Sequence, residues 1–200
     1  MKHIIISVLL TLGALTANSK EMDNINTNTS MAPVEKTDLT QQWDKVFPQS
    51  DKVEHSKVLF VNRYGITLAA DMYKPKNATG KLAAIAVSGP FGAVKEQSSG
   101  LYAQQLAERG FLTIAFDPSF TGESGGMPRR VASPDINVED FSAAVDYLVN
   151  RDDVDAAKVG ILGICGWGGI AIEAAINDPR IKATVASTMY DMTKDIRFPA

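Results

Sequence analysis

Cysteine and histidine are scarce in this chain. Its 200 residues contain one cysteine, Cys165, and two histidines, His3 and His55. One cysteine excludes an intramolecular disulfide among these residues, and with two histidines it cannot supply a four-ligand zinc site. The net charge is −3, and Lys and Arg form no cluster, which argues against nucleic-acid binding. We therefore expect no metal, no cofactor and no nucleic-acid partner.

The first residues, MKHIIISVLLTLGALTANSK, have the pattern of a secretory signal peptide. A short basic start precedes the apolar run Ile4 to Ala17, which is shorter than the roughly 20 residues that a membrane-spanning helix needs. Ala17 and Ser19 offer the small residues of a cleavage site. We predict a signal peptide over residues 1–19, a periplasmic or extracellular protein, and no membrane attachment after cleavage.

The following segment, residues 20–42, is rich in Asn, Thr, Asp and Glu and has no hydrophobic period. Such a composition cannot bury enough apolar surface to offset the entropy of ordering, so we predict a disordered linker. The remaining residues, 43–200, are long enough to form one domain with a sizeable core. We expect order to begin near Trp43 and Phe47.

From Lys57 onwards the hydrophobic pattern alternates between strands and helices. Lys57–Arg63 and Ile66–Tyr73 are β-rich runs on either side of Tyr64-Gly65, which predicts a hairpin. Apolar runs of strand length follow at 82–87, 111–116, 159–164 and 181–189. Helical periodicity is found at 98–109, in a segment capped by Asn137, and at 168–177. This alternation predicts an α/β fold, with an antiparallel hairpin followed by a parallel sheet.

The densest chemical signal is the segment VGILGICGWGG around Cys165. A strand runs into a glycine-lined turn and a helix follows at once, as the nucleophile turn of α/β-hydrolases requires. The residues two positions from the nucleophile must be small there. Gly163 meets this requirement, whereas Trp167 departs from it. At this bend the helix N-terminus favours a thiolate, and the Gly166 N–H can face a developing oxyanion. The alternative is that Cys165 is a small buried hydrophobic residue.

A second segment, Gly122-Glu123-Ser124-Gly125-Gly126, matches the G-x-S-x-G pattern literally. No strand leads straight into it, because Pro118-Ser119-Phe120-Thr121 intervenes, and Met127-Pro128 follows where a helix would begin. The strand-turn-helix context that the chemistry needs is missing. We therefore predict that Ser124 is a loop serine and not a nucleophile.

From about Trp43 onwards the chain resembles α/β-hydrolases of the dienelactone-hydrolase-like branch. The resemblance rests on NRYGITLAADMYKP, SGPFGAVKEQ, FDPSFTGESGG, NVEDFSAAVDYL and GICGWGG. It implies a three-layer hydrolase sheet, here without its last two strands, and a cysteine nucleophile at Cys165. It also implies a second oxyanion donor in the turn Gly89-Pro90-Phe91, where we choose Phe91 because Pro90 has no N–H. Small-molecule esters, lactones, thioesters or amides are the substrates of such relatives, so the fold does not fix the substrate.

A triad in this fold has the order nucleophile, acid, histidine, and no histidine follows Cys165. We consider His55 an unsuitable base, because it precedes the first strand, and regard Asp191 as a possible acid or a loop residue. These features predict a hydrolase truncated after its sixth strand and inactive in ordinary hydrolysis. Two alternatives are a binding protein on a hydrolase scaffold and a nucleotide-binding Rossmann domain, although Gly163-x-x-Gly166-x-Gly168 lacks the G-x-G-x-x-G spacing.

Overall fold

The computed structural model describes residues 39–40 and 42–189. The predicted signal peptide, residues 190–200 with Asp191, and all of the predicted linker except residues 39, 40 and 42 lie outside them. Six strands and three helices are formed in the described part: β1 Val53–Val61, β2 Thr67–Pro75, β3 Leu82–Ser88, α1 Ser98–Ala107, β4 Leu112–Phe116, α2 Pro134–Val149, β5 Val154–Ile164, α3 Gly166–Asn177 and β6 Ile181–Ser187.

The six strands form one mixed sheet in the order β1-β2-β4-β3-β5-β6. β1 pairs antiparallel with β2, and β2 pairs antiparallel with β4. The β4-β3, β3-β5 and β5-β6 pairs are parallel. The predicted α/β fold, with an N-terminal hairpin followed by parallel strands, is therefore confirmed. The carboxyl ends of β3, β4 and β5 lie side by side, which is where open α/β sheets place their ligands.

Helices cover both faces of the sheet, which gives three layers. On one face α2 and α3 pack on the strands through an apolar cluster that includes Phe141, Leu148 and Ala171. On the other face α1 packs through Ala103 and Ala107 in a cluster with strand residues of β1 to β5. β3, β4 and β5 are buried along much of their length, as expected for strands covered on both sides. In the described residues, no helix has both the length and the apolarity needed to cross a bilayer.

Several element boundaries differ from those predicted. α2 begins at Pro134, three residues before the predicted cap Asn137. Asn137 lies inside the first turns, and its Oδ1 accepts a hydrogen bond of 2.9 Å from the N–H of Ser133. Proline suits the first helical position because that N–H has no partner in a helix. α3 begins at Gly166, directly after Cys165, two residues earlier than predicted.

Candidate active site

Cys165 is the single residue between strand β5 and helix α3. Its backbone has φ 59° and ψ −125°, a conformation that non-glycine residues rarely adopt and that costs about 1–3 kcal/mol. The Cys165 N–H donates to the carbonyl of Ser187 at the end of β6 at 2.8 Å, and the Cys165 carbonyl accepts from the Gly168 N–H at 3.0 Å. These two bonds hold the bend. The thiol is half-buried, so it lies at the surface end of the core and not inside a helix.

Gly163 allows the chain to turn back over the end of β5. A Cβ at this position would lie 2.1 Å from the carbonyl oxygen of Trp167 and 2.8 Å from the Cβ of Ala171. Backbone atoms cannot move out of the way of such a contact without displacing α3. The sequence requirement for a small residue two positions before the nucleophile therefore has a direct steric cause.

Trp167 occupies the position where the motif usually has its second glycine, and the structure shows why the side chain fits. Its Cβ lies next to Gly89, where an added Cβ would be 2.9 Å away. The indole is 4% exposed, and its ring makes an edge-to-face contact with Phe91, with 6.0 Å between the ring centroids. The missing side chain at Gly89 thus provides the room that Trp167 uses.

The turn after β3 lies against this bend. A Cβ on Gly89 would be only 2.3 Å from the carbonyl oxygen of Ile164. The next four residues form a tight turn, in which the Ala93 N–H donates to the Pro90 carbonyl at 3.0 Å and Gly92 has a φ of 78°. That positive φ at the third position is typical of a type II turn. Phe91, the predicted oxyanion donor, is the second residue of this turn.

A cavity of about 650 Å³ opens beside this turn. Its volume is within the range of small-molecule sites. One wall is the segment 90–94 and Trp167 closes one side. The other wall consists of Pro118, Phe120, Thr121 and Gly122. Arg129, Arg130 and Val131 complete the lining. The walls are mainly apolar, and the guanidinium groups supply positive charge, so the space can take an organic molecule of modest size.

Asp117 joins the two walls of this cavity from behind. It directly follows β4 and is fully buried. Its Oδ1 accepts the Lys95 N–H at 2.8 Å, and its Oδ2 accepts the Glu123 N–H at 2.9 Å. Gly122 packs so closely that an added Cβ would be 2.1 Å from Oδ2. One carboxylate thus fixes the segment that follows β3 and the segment that follows β4.

The Lys95 side chain strengthens this junction. Its Nζ is 3.0 Å from Asp117, 2.5 Å from Glu123 and 2.5 Å from Glu96. Burial acts to lower the pKa of Lys95, but the surrounding carboxylates outweigh it and hold that pKa above its ordinary value. The ammonium therefore stays charged, as a buried cation with three acidic neighbours should.

Ser124 is a structural loop residue, as the sequence predicts. Its side chain is buried, its hydroxyl donates to the Asp117 carbonyl at 2.6 Å, and it accepts the Ala69 N–H at 2.9 Å. Both hydrogen-bonding roles of the hydroxyl are thus occupied by backbone groups. The literal G-x-S-x-G match serves to attach the loop to β2 and β4.

His55 lies in β1, far from the bend. Its Nε2 is 2.8 Å from Asp71 Oδ1, and its ring packs against Tyr73 and Trp43. Three strands separate β1 from β5 in the sheet, which is roughly 19 Å at the usual strand spacing. His55 therefore cannot act as a base for Cys165. Across the residues with described structure, no group of three His, Cys, Asp or Glu side chains is placed to hold a metal ion.

The cavity residues of the FDPSFTGESGG segment, and Arg129 and Arg130, were not predicted as site residues from the sequence. A usable signal was present, since Asp117 follows the apolar strand β4 directly, and polar residues at the carboxyl ends of parallel strands often line ligand sites. The cavity itself depends on segments far apart in the chain, so no local pattern reveals it.

Comparisons with known proteins agree with this architecture. The family model described as X-Pro dipeptidyl-peptidase (S15 family) matches residues 64–199. The uncharacterized protein PA2218 of Pseudomonas aeruginosa is 68% identical over 157 residues, which are 78% of this chain and 42% of that protein. Its crystal structure superposes with a TM-score of 0.79, at 66% identity, and covers 80% of this chain and 50% of that one.

A more distant relative carries a functional name. The thiohydrolase aneE of Aspergillus aculeatus is 31% identical over 137 residues, which are 68% of this chain and 42% of that protein. The chain thus spans about half the length, or less, of the relatives it matches. The fold they share is a hydrolase fold, which leaves no support for the nucleotide-binding alternative.

Proposed function

Because the chain belongs to the X-Pro dipeptidyl-peptidase (S15) family of α/β-hydrolases, we propose that it reacts with ester-, lactone- or thioester-type acyl bonds, with Cys165 as the nucleophile. The observation that carries the proposal is the backbone of Cys165, strained at the junction of β5 and α3. A strained residue between a strand and a helix is how this fold presents a nucleophile. The name of the thiohydrolase relative supports acyl-type chemistry.

The proposed first step is acyl transfer to the thiol. The Cys165 thiolate attacks the acyl carbon of the substrate, a carbon–sulfur bond forms, and the carbonyl oxygen becomes negatively charged. The bond to the leaving group then breaks, and the departing alkoxide or thiolate takes up a proton. Water attacks the resulting thioester, which releases the carboxylic acid and restores the thiol.

Two backbone N–H groups are proposed to stabilise the oxyanion. Gly166 is the first residue of α3, where an N–H has no partner within the helix. Phe91 lies in the turn that packs against Ile164, and within the described residues its N–H has no hydrogen-bond acceptor. Loss of one such donor typically lowers the rate about 100- to 1,000-fold.

Deacylation needs a base that activates water. His55 is the histidine of the described residues, and it is held by Asp71 at the far side of the sheet. We propose that the described part of the chain carries the nucleophile, the oxyanion donors and an acyl cavity. Asp191 remains a candidate for the acid, and it lies outside the described residues. On this basis residues 1–200 by themselves are expected to be acylated without turning over.

Export is part of the same proposal. The apolar run Ile4 to Ala17 supports a signal peptide that ends at Ser19. A mature protein found outside the cytoplasm with an N-terminus at Lys20 is the expected result of cell fractionation and N-terminal sequencing. A full-length N-terminus in the cytoplasmic fraction would contradict export.

The test of the nucleophile uses the full chain and two reagents. Iodoacetamide is expected to alkylate Cys165 faster than it alkylates free cysteine, and p-nitrophenyl acetate is expected to release one equivalent of p-nitrophenolate in a burst. Peptide mapping by mass spectrometry should locate both adducts at Cys165. Cys165→Ser and Cys165→Ala are the matched variants, and both should lose the alkylation.

The proposal fails if Cys165 reacts no faster than free cysteine with either reagent. A folded protein with an ordinary thiol and no burst, which still binds small apolar molecules in the 650 Å³ cavity, would instead favour a binding protein on a hydrolase scaffold.

A further inference from the structure

Trp167 is the one feature of the bend that the proposed chemistry leaves unexplained. It stands two residues after Cys165 and is almost completely buried. A large aromatic side chain at this point requires a matching gap, and the gap is at Gly89. The proposed reaction itself does not call for an indole in this place.

The indole contacts the segment that carries the second proposed oxyanion donor. Phe91 is 49% exposed. Its ring forms an edge-to-face pair with the Trp167 ring, at a centroid distance of 6.0 Å and an interplanar angle of 87°. Edge-to-face pairs of this kind contribute about 0.5–1.5 kcal/mol beyond the burial of area. Trp167 therefore supports a turn that otherwise extends into solvent.

We propose that Trp167 is a positioning residue, which holds the Gly89–Phe91 turn so that the Phe91 N–H faces the oxyanion formed at Cys165. This inference rests on the proposed function. Trp167 itself need not touch the substrate. Its contact with Phe91 and its packing against Gly89 fix the distance between the turn and α3. A displacement of about 1 Å in such a donor can lower a rate on the order of 100-fold.

Two reactions of the same sulfur separate this role from general structural damage. Attack on a p-nitrophenyl ester forms a carbon–sulfur bond, places negative charge on the carbonyl oxygen and then expels p-nitrophenolate. Attack on iodoacetamide forms a carbon–sulfur bond at the methylene carbon and expels iodide, and no oxyanion develops. Only the first reaction benefits from the Phe91 N–H.

The experiment compares both rates in the full chain and in Trp167→Ala and Trp167→Phe. In Trp167→Ala we expect acylation by p-nitrophenyl acetate to fall about 10- to 100-fold, with the iodoacetamide rate within about twofold of the wild type. Trp167→Phe keeps a ring against Phe91 and should recover a large part of the acylation rate. Trp43→Phe removes the other tryptophan of the sequence and is the control, with both rates unchanged.

A double-mutant comparison adds a second readout. If Trp167 acts through Phe91, the double variant Phe91→Ala/Trp167→Ala should acylate no more slowly than the slower single variant, because residues that act as one unit are not additive.

Given a wild type that is acylated, two results overturn the inference. In one, the acylation and alkylation rates fall together in Trp167→Ala and in Trp167→Phe. In the other, neither rate changes in either variant. Multiplicative losses in the double variant would also overturn it. Failure of the proposed function has a different signature, since the wild type itself would then show no acylation burst. If Trp167→Ala does not fold by circular dichroism, Trp167→Phe and Phe91→Ala decide the question.

Discussion

Gly89, which follows β3, and Trp167, in α3, pack against each other at the carboxyl end of the parallel strands. A Cβ added to Gly89 would lie 2.9 Å from the Cβ of Trp167, closer than two such atoms can approach. Gly89 therefore has no side chain at the point where Trp167 carries the largest of the twenty side chains. This pairing explains how a tryptophan is accommodated at a position where the motif usually has glycine.

Gly163→Ala is expected to disrupt the bend. The new Cβ would meet the Trp167 carbonyl oxygen at 2.1 Å, and because that atom belongs to the backbone, the contact should cost about 3 kcal/mol of unfolding free energy. Urea denaturation measures the loss, and iodoacetamide labelling of Cys165 should slow with it.

The matched control is Gly169→Ala in α3, the helix that follows the bend, where an added Cβ meets nothing within 4 Å. Alanine in place of a helical glycine should raise the stability by roughly 0.5–1 kcal/mol. If Gly163→Ala and Gly169→Ala have the same free energy of unfolding, the close approach of α3 does not exclude a side chain at position 163.

Cys165→Gly should make the protein more stable while removing the thiol. Glycine adopts a φ of 59° without the steric cost that a side chain brings, so we expect a gain of about 1 kcal/mol in unfolding free energy. Cys165→Ala also removes the thiol but keeps the strain, and it should show no such gain. If both variants have the melting temperature of the wild type, the bend stores no strain at Cys165.

Ser124→Ala should destabilise the protein and leave the thiol reactive. The substitution removes the hydroxyl that bridges the Asp117 carbonyl and the Ala69 N–H, and two unpaired buried groups should cost about 1–3 kcal/mol. Thermal melting measures the loss. The yield of iodoacetamide labelling at Cys165 should be that of the wild type, whereas complete loss of acylation in a folded Ser124→Ala would identify Ser124 as the nucleophile.

Asp71 should contribute to the loss of stability in acid. Burial acts to raise its pKa, but the hydrogen bond to His55 and the charge of Lys45 outweigh it and hold the pKa of Asp71 below its ordinary value. A carboxyl with a lowered folded-state pKa stabilises the protein above its unfolded-state pKa of about 3.9 and loses that contribution as the pH falls below it.

Urea midpoints at pH 5 and pH 3 test this expectation. Asp71→Asn should be less stable than the wild type at pH 5, by on the order of 3 kcal/mol, and should lose less stability between the two pH values. Asp51→Asn, which changes an exposed carboxyl, serves as the control and should follow the wild type. An identical pH dependence in Asp71→Asn would show that Asp71 has the same pKa in the folded and the unfolded protein, and would contradict the expectation.

Local patterns predicted the elements whose cause is local. The apolar runs of β3, β4 and β6 and the strand-turn-helix at Cys165 follow from residues that are adjacent in the chain, and they were located to within two residues. β5 was expected from Val159, but it begins at Val154, because its first residues pair with Leu82 across an irregularity in the register. Pairing with a distant strand leaves no mark in the hydrophobic period.

The same distinction applies to the candidate site. Gly163, Cys165 and Gly166 lie within four consecutive residues and could be selected from the sequence, and Phe91 followed from the family resemblance. The fit of Trp167 against Gly89, and the ion pair of Lys95 with Asp117, join residues that lie more than 20 positions apart. Such contacts arise only when the sheet brings the ends of β3, β4 and β5 together.

The Asp117 carboxylate has a consequence for how this pocket can diverge. The two flanking segments are each anchored to one of its oxygens. A change in the length of either segment that shifts its anchor would leave an oxygen of a fully buried carboxyl group without that hydrogen bond. Paralogues with new ligand preferences should therefore retain an aspartate at this place and vary at the more exposed positions of the two segments, near Phe91 and Thr121. If the segment after β3 or the segment after β4 is exchanged alone for that of a relative, we expect insoluble protein more often than a changed ligand preference.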